Sequence, residues 1–234
     1  MILITGASQG IGYECAKALL ARTTGRVMIT GRSDVRLEEA RAAVPSADRD
    51  RLLLQVSDQS SAEDVAALGT LLGDPATPLE GAILAVGQNP MYTEGPERLH
   101  AVDPAIADAV IRTNCTHTLR LTSAILKRFR RQKTGVLIWI GSRAYKVGLP
   151  GAALYCATKA FLSGLARTAD HEYAACGVRV HLLNPGLVRT PRTVGVIDRF
   201  AARHGLVVED AAEVAARIVS VFLSPGLEPV EVDL

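Results

Sequence analysis

The stretch MILITGASQGIGYECAKALLA, residues 1–21, changes character twice in a short span. Ile2 to Thr5 has the apolar and β-branched composition of a buried strand. Gly6, Gly10 and Gly12 then punctuate a turn that also holds Ser8, Gln9 and Ile11. Without a Cβ, glycine lets the backbone turn tightly and approach a bound group closely. Ile11 to Ala21 reads as a helix. A helix starting behind such a turn offers unpaired N–H groups and positive dipole to phosphate oxygens. Strand, glycine turn and helix in this order are the context in which a glycine-rich motif reads as a dinucleotide site.

Beyond residue 21 the alternation continues. Further strand-like runs span Val27 to Thr30, Leu52 to Val56, Gly81 to Val86, Gly135 to Ile140, Val178 to Leu183 and Pro229 to Val232. Helix-like runs fill the gaps at Val35 to Ala43, Ser61 to Leu72, Pro104 to Arg131, Ala153 to Ala175 and Ala211 to Phe222. Such repetition predicts a parallel sheet with helices on both faces. Of the residues 48% are hydrophobic but only 4% aromatic, so the apolar mass is Ala, Val, Leu and Ile, as parallel strands under helices require. The 234 residues suffice for one large domain and are few for two. The expected fold is α/β: a single Rossmann-type, doubly wound domain over residues 1–234, with a central, mainly parallel sheet of about seven strands. Two turn-rich stretches, Gln88 to Pro96 and Pro185 to Gly195, each follow a strand, at the sheet edge where ligands bind.

A formal net charge of +2 gives no general pull toward nucleic acid or an anionic membrane. A basic run, Lys127, Arg128, Arg130, Arg131 and Lys133, ends the long fourth helical segment, where cations complement the helix dipole. Nucleic-acid binding through it would lack aromatic platforms. Cys15, Cys115, Cys156 and Cys176 form no C-x-x-C pair and no Cys/His metal spacing, so no metal is expected. No apolar run reaches membrane-spanning length and no leader precedes the first strand, so the cytoplasm is the expected compartment.

Tyr155-Cys156-Ala157-Thr158-Lys159 places a phenol and an ammonium four residues apart on a helix, hence on one face. A cation beside a phenol favours the phenolate, so Tyr155 is expected to titrate below the ordinary value of about 10. Ser142 ends the fifth strand thirteen residues before Tyr155, and its hydroxyl can hold a carbonyl oxygen. Asn114 lies midway along a long helix, a poor place for asparagine on propensity alone. Singly, these residues have ordinary readings: amphipathic surface, turn chemistry and a solvated polar group. Their order behind a glycine turn argues for a site. At the end of the second strand stands Gly31-Arg32-Ser33-Asp34. A ribose 2′-hydroxyl calls for a carboxylate there and a 2′-phosphate for a cation. Arg32 therefore favours NADP(H), with NAD(H) possible. Asp34 is a rival, read instead as the cap of the next helix.

The T-G-x-x-x-G-x-G spacing of Thr5 to Gly12, with Ser142, Tyr155 and Lys159, resembles the short-chain dehydrogenase/reductase family, and the resemblance runs from Thr5 to Thr190. It implies a dinucleotide held by Gly6, Ser8, Gln9, Gly10, Ile11 and Gly12, with Arg32 and Ser33 at the adenosine ribose. Gln55 and Val56 stand where many members place Asp-Val against the adenine, and a Gln carbonyl can still accept from the adenine amine. Ala85-Val86-Gly87 stands where members often have Asn-Ala-Gly, so Ala85 and Gly87 line the cofactor without the steadying asparagine. In Asn184-Pro185-Gly186-Leu187-Val188-Arg189-Thr190, the resemblance packs Pro185 and Gly186 on the nicotinamide and anchors the carboxamide with Thr190 and the Val188 backbone. It also assigns Lys159 to the nicotinamide ribose, and Asn114 to a bend in its helix and to a water linking Lys159 to solvent. Members commonly pair two long helices across a symmetric interface, so a homodimer or homotetramer is expected.

The implied function is reduction of a small-molecule carbonyl by NADPH, with Tyr155 as proton donor and Asn114, Ser142, Tyr155 and Lys159 as the catalytic set. The alternatives are an NAD-dependent alcohol dehydrogenase running oxidatively and a non-catalytic NADP-binding sensor or scaffold. A lid is expected at about 186–208, after the P-G turn. Arg143, Lys146, Arg189, Arg192, Arg199 and Arg203 outnumber Asp198 near the pocket; they either draw an anionic substrate or merely solvate the lid.

Overall fold

In the computed structural model, which describes residues 1–76, 79–226 and 229–234, the first strand β1 (Ile2–Thr5) lies inside the sheet with every residue buried. After it come α1 (Gly10–Arg22), β2 (Val27–Gly31), α2 (Asp34–Ala42), β3 (Leu52–Val56), α3 (Ala62–Gly73), β4 (Gly81–Leu84), α4 (Pro104–Ile111), α5 (Thr118–Gln132) and β5 (Gly135–Ile140). The second half adds α6 (Ala144–Val147), α7 (Ala153–Tyr173), β6 (Val178–Asn184), β7 (Leu187–Arg189), α8 (Val196–His204), β8 (Val208–Asp210), α9 (Ala211–Leu223) and β9 (Glu231–Asp233).

Seven strands form one parallel sheet in the order β3-β2-β1-β4-β5-β6-β9, a Rossmann-like arrangement flanked by helices, as expected. Side chains alternate across a strand, so β1 feeds two cores. Ile2 and Ile4 pack with Leu19 of α1 and Val214 and Ile218 of α9. Leu3 packs on the other face with Leu68 of α3, Ile125 and Phe129 of α5 and Leu162 of α7. Trp139 of β5 is fully buried, and its indole N–H donates to Thr122 Oγ1 at 3.1 Å. The strand order reverses between β1 and β4, which opens a crevice at their carboxyl ends.

Several boundaries differ from the sequence expectation. The single helix expected over Pro104 to Arg131 is interrupted by a wide π segment, Arg112–His117, that holds Asn114. Strand β4 ends at Leu84 rather than Val86, and the last strand starts at Glu231 rather than Pro229. Proline has no N–H for a sheet ladder. Strands β7 and β8 make a separate parallel pair, Leu187 to Val208 through Arg189 to Asp210. That pair fixes both stems of the segment expected to be a lid. Among the described residues no helix is long and apolar enough to cross a membrane.

Candidate active site

The glycine turn sits at the crevice. Gly6 and Gly10 both adopt φ of +64°, the left-handed region open to glycine. Gln9, ahead of α1, is extended and caps no N–H with its side chain, and the first turn of α1 holds no acidic residue. The N–H groups of α1 thus face the crevice with a positive dipole and no carboxylate from their own first turn. Thr5 Oγ1 accepts from Ala85 N at 3.2 Å, tying the turn to the loop after β4.

At the end of β2, a Cβ on Gly31 would stand 3.2 Å from Ser8 Oγ, so close packing against the glycine turn keeps this position small. Arg32 beside it is exposed. Arg192, from beyond β7, reaches the same region and donates to Gly87 O at 2.9 Å. Its guanidinium is held below the ordinary range by burial and then by the charges of Arg32 and Arg36. Three cations at one rim suit a polyanion. Sequence reasoning missed Arg36 and gave Arg192 to the substrate side; only the fold brings α2 and the stretch after β7 together. Ser33, not Asp34, caps α2: its Oγ accepts from Arg36 N at 3.3 Å, and Asp34 is the first helical residue. Gln55 donates from Nε2 to Val56 O at 2.8 Å, beside an exposed Val56.

Across the crevice, Arg143 N donates to Pro185 O at 3.0 Å, which locks the P-G turn to the end of β5. Gly186 follows, with the Arg143 guanidinium against it. Thr193 Oγ1 holds the next turn by donating to Val188 O at 2.9 Å and accepting from Thr190 N at 2.9 Å. The side chain of Thr190 lies across from Gly10, so the two loops face one another.

Ser142, Tyr155 and Lys159 converge beneath these loops. Ser142 is buried, and its N–H donates to Asn184 Oδ1 at 3.1 Å. Asn184 is fully buried; a Cβ on Gly141 would fall 2.0 Å from its Oδ1, so glycine there is what admits the contact. Asn184 Nδ2 in turn donates to Glu231 Oε1 at 3.2 Å and Asp233 Oδ1 at 3.4 Å. Lys146 pairs with both carboxylates, and Ser163, one turn beyond Lys159, donates to Glu231 Oε2 at 2.9 Å. This network was not read from the sequence, because its members lie up to 91 residues apart.

Tyr155 keeps some exposed surface, yet the protein atoms around its phenol push its pKa up. A side-chain hydrogen bond with Ser142 opposes that shift, and the Tyr92 phenol adds to it. The expected lowering by Lys159 is therefore overturned for the free protein. Lys159 Nζ lies 5.5 Å from the Tyr155 ring centre and donates to Ile140 O at 2.7 Å. Burial pushes Lys159 itself down to about 8, with Cys115 opposing. Asn114 is buried and pairs with the Gln88 backbone at both ends: Gln88 N donates to Oδ1 and Nδ2 donates to Gln88 O, each at 2.8 Å. Nδ2 also reaches Thr158 Oγ1 at 3.1 Å. Asn114 lies within the π segment, and its amide anchors the loop after β4 and faces the helix of Lys159 through Thr158.

The basic residues near the pocket are largely engaged. Arg189 pairs with Asp198 at 2.7 Å, Lys146 with Asp233 at 2.8 Å, and Arg143 approaches Glu209 at 3.9 Å. Pairing with carboxylates, which neither reading of these cations foresaw, accounts for these three, while Arg192 lies near Arg32 and Arg36.

Residues 1–199 match the family model described as short chain dehydrogenase. The 3-oxoacyl-acyl-carrier-protein reductase of Escherichia coli is 30% identical over 196 residues, 84% of this chain and 76% of that protein. Nodulation protein G of Rhizobium meliloti is 30% identical over 191 residues, 82% of this chain and 74% of that one. Among solved structures, a Sphingobium yanoikuyae short-chain dehydrogenase in complex with NADPH superposes with a TM-score of 0.76 at 25% identity, covering 94% of this chain and 83% of that chain.

Proposed function

Since this chain belongs to the short-chain dehydrogenase/reductase family, and so is an NAD(P)-dependent oxidoreductase of CH–OH and C=O groups, we propose that it is an NADPH-dependent carbonyl reductase. The carrying observation is the convergence, at the carboxyl edge of the sheet, of the buried Ser142 beyond β5 with Tyr155 and with the Lys159 ammonium, which lies 5.5 Å from the Tyr155 ring centre. A nicotinamide dinucleotide fits the crevice: unpaired N–H groups of α1 and the guanidinium groups of Arg32, Arg36 and Arg192 await an anion. NADPH, when bound, supplies the hydride. Ser142 holds the carbonyl oxygen, and Tyr155, whose phenol retains its proton, donates that proton to it. Lys159 keeps a positive charge beneath the phenol and anchors the ribose. The same groups run the reverse oxidation.

Selectivity for the phosphorylated cofactor rests on Arg32, with Arg36 and Arg192 adding charge. The working unit is a dimer or tetramer, a reading supported by exposed Ile111, Leu119 and Phe161 on the helical layer of α4, α5 and α7. The test of function is loss of nicotinamide absorbance with NADPH and a panel of ketones, quinones and β-ketoacyl thioesters. No consumption with any member would refute the reductase assignment.

A further inference from the structure

Asn89 lies just after the loop that Asn114 anchors and is only 7% exposed. Met91 N donates to its Oδ1 at 3.2 Å. That bond fixes the orientation of the amide, because a backbone N–H can face only the oxygen end. The Nδ2 end is therefore a donor set in place, and it is buried with no hydrogen-bond partner among the described residues. A buried donor left without an acceptor is destabilising, and native proteins keep few of them.

Asn89 and Tyr155 line the same slot, whose volume is about 20 Å³. Pro90, Met91, Val102, Ile106, Ala152 and Leu154 make most of its remaining wall, which Glu97 also joins. Two of its lining residues are tied together, Glu97 N donating to Gly151 O at 3.2 Å. Its volume holds about one oxygen-sized atom, and a lone water there would want two to four polar partners. The mainly apolar wall suits an oxygen that arrives covalently attached to a carbon body.

We propose that Asn89 is a specificity-determining residue that donates from Nδ2 to a second acceptor oxygen of the substrate, making the preferred substrates dicarbonyl or similarly oxygenated ketones rather than simple ones. The proposal rests on the carbonyl reductase reading and adds the substrate class to it. Tyr155 and Ser142 hold the reacting carbonyl; Asn89 holds its neighbour and so selects which ketone is seated.

The experiment compares pentane-2,4-dione with pentan-2-one, which differ by one carbonyl oxygen, using NADPH with wild type, Asn89→Asp and Asn89→Ser. Asn89→Asp keeps the acceptor for Met91 N and removes the donor. Asn89→Ser removes the amide donor without adding charge beside Tyr155, leaving a hydroxyl one bond short of the Nδ2 position. Intrinsic reactivity cancels when the dione-to-ketone ratio of kcat/KM is compared between proteins. In both variants the ratio should fall by about threefold or more, the scale of one neutral hydrogen bond, with the change mainly in KM for the dione. A smaller fall in Asn89→Ser overturns the proposal, as does an equal loss on both substrates. If wild type consumes NADPH with both compounds but the ratio ignores Asn89, only this proposal fails. If wild type reduces neither these nor any carbonyl of the wider panel, the reductase reading fails and takes this one with it.

Discussion

Burial acts on Tyr155 and Lys159 in opposite senses: it keeps the proton on the phenol and loosens the one on the ammonium. A retained phenolic proton suits an acid. Tyr155→Phe should cut carbonyl reduction by about 10²–10⁴-fold, the range of a lost general acid, with NADPH affinity by fluorescence unchanged. Lys159 carries a stability consequence. Its folded pKa, about 8, lies below its ordinary 10.5, so between those values the unfolded chain holds a proton that the folded one has released. Stability attributable to Lys159 thus rises with pH across that window and is lowest below it. The burial penalty at neutral pH is on the order of 3 kcal/mol, reduced by the Ile140 carbonyl. Lys159→Met should therefore lose turnover yet resist urea at least as well as wild type at pH 7, with the difference shrinking by pH 10. A variant weaker than wild type at both pH values would show that the Ile140 bond outweighs burial. At the cofactor rim, Arg32→Ala should weaken NADPH binding by about tenfold or more and leave NADH nearly unchanged, since a charge-assisted phosphate contact is lost only for the first. Equal losses in titrations at fixed salt would remove Arg32 as the discriminating residue.

At the scale of elements, the short β9 reaches the catalytic serine through one side chain. Asn184 carries the Ser142 N–H on one end of its amide and the β9 carboxylates on the other. Asn184→Ala should destabilise the fold by roughly 1–3 kcal/mol, because it leaves a buried N–H unsatisfied. Turnover should fall by about tenfold with NADPH affinity retained, since the lost contact is far from the phosphates. Denaturant melts and paired kinetics check this. The alternation of strands and helices was plain in the sequence, as was the Ser142, Tyr155, Lys159 and Asn114 set, because both depend on local period and short spacing. What local pattern could not supply was anything decided by distant contact. The π segment needed the Asn114–Gln88 pairing, the cap of α2 went to Ser33 over the acidic Asp34, and the basic surplus near the pocket found Glu209, Glu231 and Asp233. The slot beside Tyr155 had a faint signal, a turn-rich stretch after β4, but its orphan donor is visible only in three dimensions.

For the molecule as a whole, Phe161 on α7 and Leu119 on α5 stay exposed while neighbouring faces are buried, which fits a symmetric pairing of copies. Light scattering at micromolar concentration should give twice or four times the chain mass, and Phe161→Glu should shift the population toward monomer. A wild type that scatters as a monomer would leave those side chains as plain surface. The order of the sheet also bears on how the chain is made. β1 pairs on one side with β2, which follows it directly, and on the other with β4. Thr5 and its partner Leu84 are separated by roughly 80 residues, so at a synthesis rate of about 5–20 residues per second the far edge of β1 stays bare on the ribosome for roughly 4–16 s. During that interval a buried strand of Ile, Leu and Ile presents open backbone to any passing chain, and this edge is where a nascent-chain chaperone has the most to protect.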